Sequence, residues 1–294
     1  KGDPMNKQKL LFALAMLIFG SIGLFVRTLP FTSIQIALAR GLIGSAFLFA
    51  SSFILKKGLS FKRIQSNLKV LLPLGIMLGF NWILLFQAYR YTSIANATVS
   101  YYCAPVIVML LTPVVFKESL TRTNVLCIFA AMAGMVCISG AGGTLDRQNL
   151  IGIAYGFGGA VFYAAIVLTN KFLKDISDFE SAFTQLFIAA LALLPYVLLT
   201  DGIRLTGASA VTVMLLILVG VVHTGFSYLL YFASLPRLDS RTIATFSYID
   251  PISAILLSSL FLAEPMTLIQ AAGAVLILGA TLVNELIGMR NARA

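Results

Sequence analysis

Charge is scarce in this chain. Asp, Glu, Lys and Arg together make up 11% of its 294 residues, against about 25% in an ordinary soluble domain. Too few polar side chains remain to cover a water-facing surface, so a large soluble domain is excluded. There is a single histidine, His223, and there are three cysteines, Cys103, Cys127 and Cys137. All three cysteines lie inside apolar runs without metal-ligand spacing, so neither a disulfide framework nor a metal centre is indicated. The common catalytic and nucleotide-binding signatures are missing: no G-x-S-x-G, no H-E-x-x-H, no Walker A loop. Gly156, Gly158 and Gly159 lie within an apolar segment, with no strand before them to make a dinucleotide fingerprint. No cofactor is indicated, and no enzyme: an acid, a base and a nucleophile do not cluster anywhere in the sequence.

What is present is apolar length. Hydrophobic residues make up 59% of the chain and the mean hydropathy is +0.96. About 20 apolar residues cross a bilayer core. Ten such stretches occur, at 9–27, 33–55, 69–89, 94–116, 123–141, 150–170, 178–199, 209–232, 240–262 and 267–287. The reading is an all-α integral membrane protein of ten transmembrane helices. Lys1 to Pro4 precede Met5 and are set aside as a leader foreign to the protein. The net charge of +10 would point to nucleic acid in a soluble protein. Here the basic residues cluster between apolar segments, so membrane lipid is the expected partner and nucleic acid is not. With the N-terminus cytoplasmic, fifteen Lys and Arg, from Lys7 to Arg293, fall inside. Four, Arg27, Arg90, Arg147 and Arg204, fall outside. That bias sets both termini in the cytoplasm.

The chain also repeats itself. Tyr102, Pro105 and Glu118 recur as Tyr248, Pro251 and Glu264, each 146 residues on. Gly79/Gly225, Phe80/Phe226, Leu84/Leu230, Phe86/Phe232 and Thr121/Thr267 keep the same offset without a gap. Residues 5–141 and 150–294 are therefore read as two five-helix repeats joined by a linker at 142–149. Five is odd, so the second repeat enters the membrane from the opposite side. Inverted repeats of this kind rock about a central site and expose it to each side in turn. Gly152, Gly156, Ala160 and Ala164, at spacing four, mark a close helix contact.

Ionisable groups at membrane depth are costly and point to function. Asp250 lies halfway along the ninth segment, immediately before Pro251. A carboxylate there is either protonated or paired; it suits a proton-coupling site, a counter-ion for a substrate amine, or a polar clasp between helices. His223, at similar depth in the eighth segment, either shuttles protons, pairs with Asp250, or packs as a satisfied core residue. Arg40 either binds a substrate carboxylate or phosphate, reaches outward to the interface, or hydrogen-bonds helix-end carbonyls. Pro105 and Pro251 each remove a backbone bond and kink equivalent helices, marking a central cavity. Tyr101, Tyr102 and Tyr248 lie on those helices. Asn81 and Trp82, with Ser227 and Tyr228, lie on the neighbouring pair and are candidate binding residues or packing residues. Gln185 aligns with Arg40 and ranks below it.

Ala88-Tyr89-Arg90-Tyr91-Thr92-Ser93-Ile94-Ala95-Asn96-Ala97, Pro105 and Lys117-Glu118, with Glu264-Pro265, Gly273 and Gly279, resemble the EamA-type members of the drug/metabolite transporter superfamily across essentially the whole chain after Met5. The resemblance implies a carrier of the bacterial inner membrane, often an exporter of amino acids or other small metabolites, with a cavity lined by both halves. Pro105, Glu118, Pro251 and Glu264 carry over as structural hallmarks; Asp250 and His223 do not belong to the general pattern. The expectation is a secondary carrier of a small organic substrate, with an amino acid the leading guess. Protons at Asp250 are a candidate coupling ion, and the protein works as a monomer or a homodimer. An organic-cation exporter with Asp250 as counter-ion is the alternative.

Overall fold

A computed structural model describes residues 4–54, 58–117, 120–138, 146–200, 209–238 and 240–291. Glu118, Lys56, Lys57, Arg204, Arg293 and the first half of the expected linker, 142–145, lie outside the described residues. The first half folds as α1 (Pro4–Thr28), α2 (Ser33–Ile54), a short α3 (Phe61–Ser66), α4 (Leu68–Tyr91), α5 (Ile94–Tyr101), α6 (Ala104–Phe116) and α7 (Arg122–Ile138). The second folds as α8 (Arg147–Asn170), α9 (Asp178–Leu199) and α10 (Ala210–Gly220). A π-helical turn (Val221–Phe226) leads to α11 (Ser227–Ser234), followed by a 3₁₀ turn (Leu235–Arg237), α12 (Ser240–Ser247), α13 (Ile249–Leu262) and α14 (Leu268–Asn291). Among the described residues there is no strand.

Eight of the ten expected spans are helical stretches long and apolar enough to cross a membrane. The other two, Arg122–Ile138 and Leu268–Asn284, are apolar but shorter. The helices begin where side chains satisfy the orphan amides of a first turn. Ser93 accepts from the Asn96 amide at 3.1 Å, Asp146 from that of Gln148 at 3.0 Å, and Ser209 from that of Thr212 at 3.2 Å. At α9, Ser177 and Glu180 form a reciprocal capping box. Large apolar side chains such as Leu126, Phe129, Leu256 and Phe261 stand on the outside of the bundle, as they do when the surrounding solvent is lipid rather than water.

The two halves pack as related copies. α4 lies on α8 and α9, and its counterpart α10–α11, through the π-turn, lies on α1 and α2. α1 lies on α12 and α13, as α8 does on α5 and α6. The last helices of the halves, α7 and α14, pack on each other. The inversion is visible in one junction. Glu264, just past the C-terminal end of α13, accepts the amide of Ile94, the first residue of α5, at 2.9 Å. The end of one repeat's broken helix thus meets the start of the other's. The same carboxylate pairs with Arg27 at the end of α1.

The repeat extends to backbone detail. The fourth and ninth spans are each broken in two, at Tyr102–Cys103 and at Tyr248, upstream of Pro105 and Pro251. The proline ring disfavours a continuous helix before it. Each span then ends on a left-handed residue, Lys117 (φ 59°) and Ala263 (φ 51°). The copies differ in one contact. α5 packs against α13, whereas α6 and α12, which the repeat relation puts in the same relation, make no comparable contact among the described residues.

The small-residue face of α8 does what its spacing predicts. A Cβ on Gly156 would fall 2.1 Å from Ser100 Oγ and 2.9 Å from the Ala97 carbonyl, so only glycine lets α5 approach. Ala160 and Ala164 are fully buried.

Candidate functional site

Breaking a helix in mid-span creates a helix N-terminus there, with amides unsatisfied and the positive end of its dipole exposed. Asp250 lies in the first turn of α13, at this position. Its Oδ2 accepts a hydrogen bond from the Tyr102 hydroxyl at 2.9 Å, and its Oδ1 bonds to no described residue. Tyr102 sits at the equivalent break between α5 and α6, so this bond joins the two interrupted helices of the two repeats. Behind Asp250, α1 comes close. A Cβ on Gly20 would meet the Asp250 carbonyl at 2.3 Å and Ser253 Oγ at 2.0 Å.

Arg40 is a buried cation on α2, 5% exposed. Its Nε donates to Thr224 Oγ1 at 2.8 Å. Its guanidinium carbon lies 4.2 Å above the centre of the Trp82 ring and 5.5 Å from that of Phe86, a cation–π arrangement. Its two terminal nitrogens bond to no described residue. Arg40 and Asp250 lie within electrostatic reach of one another, yet do not pair. The ion pairs among the described residues are Arg27–Glu264 and Arg63–Glu180.

Tyrosines fill the space around these two charges. Tyr163, Tyr101, Tyr102 and Tyr248 form a chain with ring centres 5.5, 6.2 and 6.5 Å apart. Asn81 fixes Tyr101, donating to its hydroxyl at 3.2 Å and to the Gly159 carbonyl at 2.8 Å. Tyr228 packs edge-on against Phe19 at 5.5 Å and is within electrostatic reach of Arg40. Tyr248 turns away: its hydroxyl donates to Thr281 Oγ1 on α14 at 2.6 Å. Of the expected residues, Asp250, Tyr102, Tyr101, Arg40 and Tyr228 converge, with Asn81 and Trp82 behind them. Pro105 and Pro251 lie at the breaks that bring them together.

Of the alternatives open for His223, the structure does not show the pairing with Asp250. Its Nε2 meets Ser21 Oγ at 3.0 Å, and its ring packs on Phe25 at 4.6 Å. What separates it from Asp250 is α1, which packs on both α13 and α10–α11. Gly20 faces Asp250 while the next residue, Ser21, faces His223. Gln185 is also drawn elsewhere, donating to Asn170 Oδ1 at 3.0 Å and Ser181 Oγ at 2.8 Å. Thr224, Tyr89 and Tyr163 join the site without a signal in the sequence. Tyr89 belongs to the apolar run of α4 and Tyr163 lies on the small-residue helix α8. Neither spacing nor charge marks them.

Comparison with known proteins bears on the whole chain. It is 30% identical over 283 residues to an uncharacterized transporter, YxxF, of Bacillus subtilis (strain 168), covering 94% of this chain and 90% of that one. An uncharacterized transporter of Archaeoglobus fulgidus is 27% identical over 263 residues, covering 89% and 91%. A crystal structure 20% identical in sequence superposes with a TM-score of 0.64, over 97% of this chain and 98% of the other, and shares its fold. The model of the EamA-like transporter family matches twice, at residues 7–140 and 150–285. The chain is thus a multi-pass membrane protein that belongs to the EamA-like transporter family.

Proposed function

We propose that this transporter is a secondary carrier for a small metabolite bearing both an amine and a carboxylate, an amino acid or a close relative. It works by alternating access and exports from the cytoplasm across the bacterial inner membrane. One observation carries the reading. A buried guanidinium and a part-buried carboxylate, each held by its own protein partners, face the same region unpaired. Two such charges, left in a low-dielectric interior, are strongly favoured to acquire opposite charges. A zwitterion supplies both at once: its carboxylate to the terminal nitrogens of Arg40, its ammonium to the open oxygen of Asp250. Tyr101, Tyr102 and Tyr228 offer ring faces and hydroxyls to the rest of the molecule.

The absence of a close α6–α12 contact among the described residues, beside the α5–α13 contact, supports alternating access, since the inverted repeats make each closure the image of the other. Between turnovers Asp250 is also the place for a coupling proton. His223, apart from Asp250, serves the α1 interface through Ser21. The test is thermal stability of the purified protein with amino acids, their amides and the matching amines, because a ligand of the native state raises the melting temperature by mass action. Stabilisation by the zwitterion that is lost in both Arg40→Gln and Asp250→Asn supports the reading. Equal stabilisation by amines without a carboxylate, lost in Asp250→Asn alone, supports the alternative: an organic-cation exporter. That alternative is favoured by the tyrosine lining around Asp250.

A further inference from the structure

The arginine of this site is aimed by a backbone irregularity. Val221–Phe226 forms a π-helical turn in which hydrogen bonds skip one residue further than in an α-helix. Thr224 sits inside it, fully buried. Its hydroxyl donates to the Val219 carbonyl, five residues back, at 3.2 Å. That fixes where its proton goes and leaves its lone pairs to accept Arg40 Nε–H at 2.8 Å. The methyl group of Thr224 is locked as well. α2 passes so close that a Cβ on Gly44 would lie 2.5 Å from Thr224 Cγ2. Arg40 is therefore held at Nε by Thr224 and across its face by Trp82.

A guanidinium offers two forks to a carboxylate, one using Nε and one using only the terminal nitrogens. Thr224 occupies the first, so only the end-on fork remains, and it has no partner among the described residues. We infer that Thr224 is the positioning residue that orients Arg40 to receive a single carboxylate end-on, and so sets the preference of this carrier for carboxylate-bearing substrates. The inference rests on Arg40 being the anion subsite. The counterpart of Thr224 in the first repeat is Leu78, so the device belongs to one half only.

Trp82 is the only tryptophan in the chain and lies against Arg40, so its fluorescence reads the guanidinium directly. The experiment compares the full-length protein in detergent with Arg40→Gln, Thr224→Val and Thr224→Ser. Two readouts are taken: Trp82 emission without ligand, and affinity for L-leucine, leucinamide and isoamylamine from thermal shift. Thr224→Val is expected to move the emission toward that of Arg40→Gln and to weaken L-leucine roughly tenfold, with the amine unchanged. Thr224→Ser, which keeps the hydroxyl, is expected to match the wild type in both. A Thr224→Val protein with wild-type emission and wild-type preference for the acid, while Arg40→Gln changes both, overturns the assignment of Thr224. If the emission moves as expected but even the wild type does not distinguish leucine from its amide, Thr224 still positions Arg40. In that case the carboxylate reading of Arg40, and the preference derived from it, fall.

Discussion

Asp250→Asn keeps an oxygen for the Tyr102 hydroxyl and removes the charge, so the fold survives while the chemistry changes. An amine substrate should lose at least about tenfold in affinity, the scale of a charge-assisted hydrogen bond in a buried site. Any pH dependence of transport that arises at this carboxylate should flatten as well. Transport assays in proteoliposomes across a pH series read both, and a variant that keeps wild-type rate and wild-type pH response would remove Asp250 from the coupling scheme. Tyr248→Phe makes the contrast. Tyr248 and Thr281 are both buried and bond to each other at 2.6 Å, so the hydroxyl clamps α14 to the broken span. Its loss should cost ~0.5–2 kcal/mol, the range for hydrogen bonds between membrane helices. The melting temperature falls and ligand selectivity stays; a shift in selectivity would place Tyr248 among the binding residues instead.

Element by element, hydropathy and repeat spacing make much of this molecule readable from the chain. Pro105 and Pro251 announce the breaks because a proline's steric demand is local. Gly156 announces the α5–α8 contact because small-residue spacing has one geometric use. Gly156→Val is accordingly expected to drive its side chain into Ser100 and the Ala97 carbonyl and to destabilise by roughly 1–3 kcal/mol, the usual cost of overpacking. By contrast, Gly279→Ala, whose new Cβ would meet nothing within 4 Å, should leave the melting temperature unchanged. The π-turn is not readable. It adds one residue to a helical turn without a composition of its own, and one extra residue rotates the downstream helix by about 100°. Helical spacing cannot tell which neighbour Thr224 and His223 face, and the partners of both come only from the packing of α1 and α2. The short helix α3 escapes for another reason: six residues carry too little periodicity, and it is held from outside. Glu180, at the start of α9, accepts from the Ser60 amide at 2.8 Å and from Arg63 at 2.9 Å.

At the scale of the whole molecule the two repeats make every junction a member of a pair, and the closed member here is held by charge. Glu264 caps α5 through the Ile94 amide and pairs with Arg27. It fastens the end of α13 to the start of α5 where both meet α1. Glu264→Gln should weaken the closure by about 1 kcal/mol, because the pair is partly exposed and screened, while the amide keeps a neutral cap. The charge bias along the chain predicts which compartment this closure faces: Arg27, Arg90 and Arg147 lie at its end of the molecule and the lysine-rich segments at the other, so the prediction is that it faces outward. Two cysteine substitutions on a background lacking Cys103, Cys127 and Cys137 decide it, Arg147→Cys at the start of α8 and Lys62→Cys in α3, both at exposed positions. A membrane-impermeant thiol reagent added to intact cells should label position 147 and spare position 62, and inside-out vesicles should reverse the pattern. With that orientation the α5–α13 contact is the outer gate, and Glu264→Gln should increase labelling of a cysteine at position 102 from outside. Labelling of position 62 from outside would invert the protein in the membrane and turn the same contact into the inner gate.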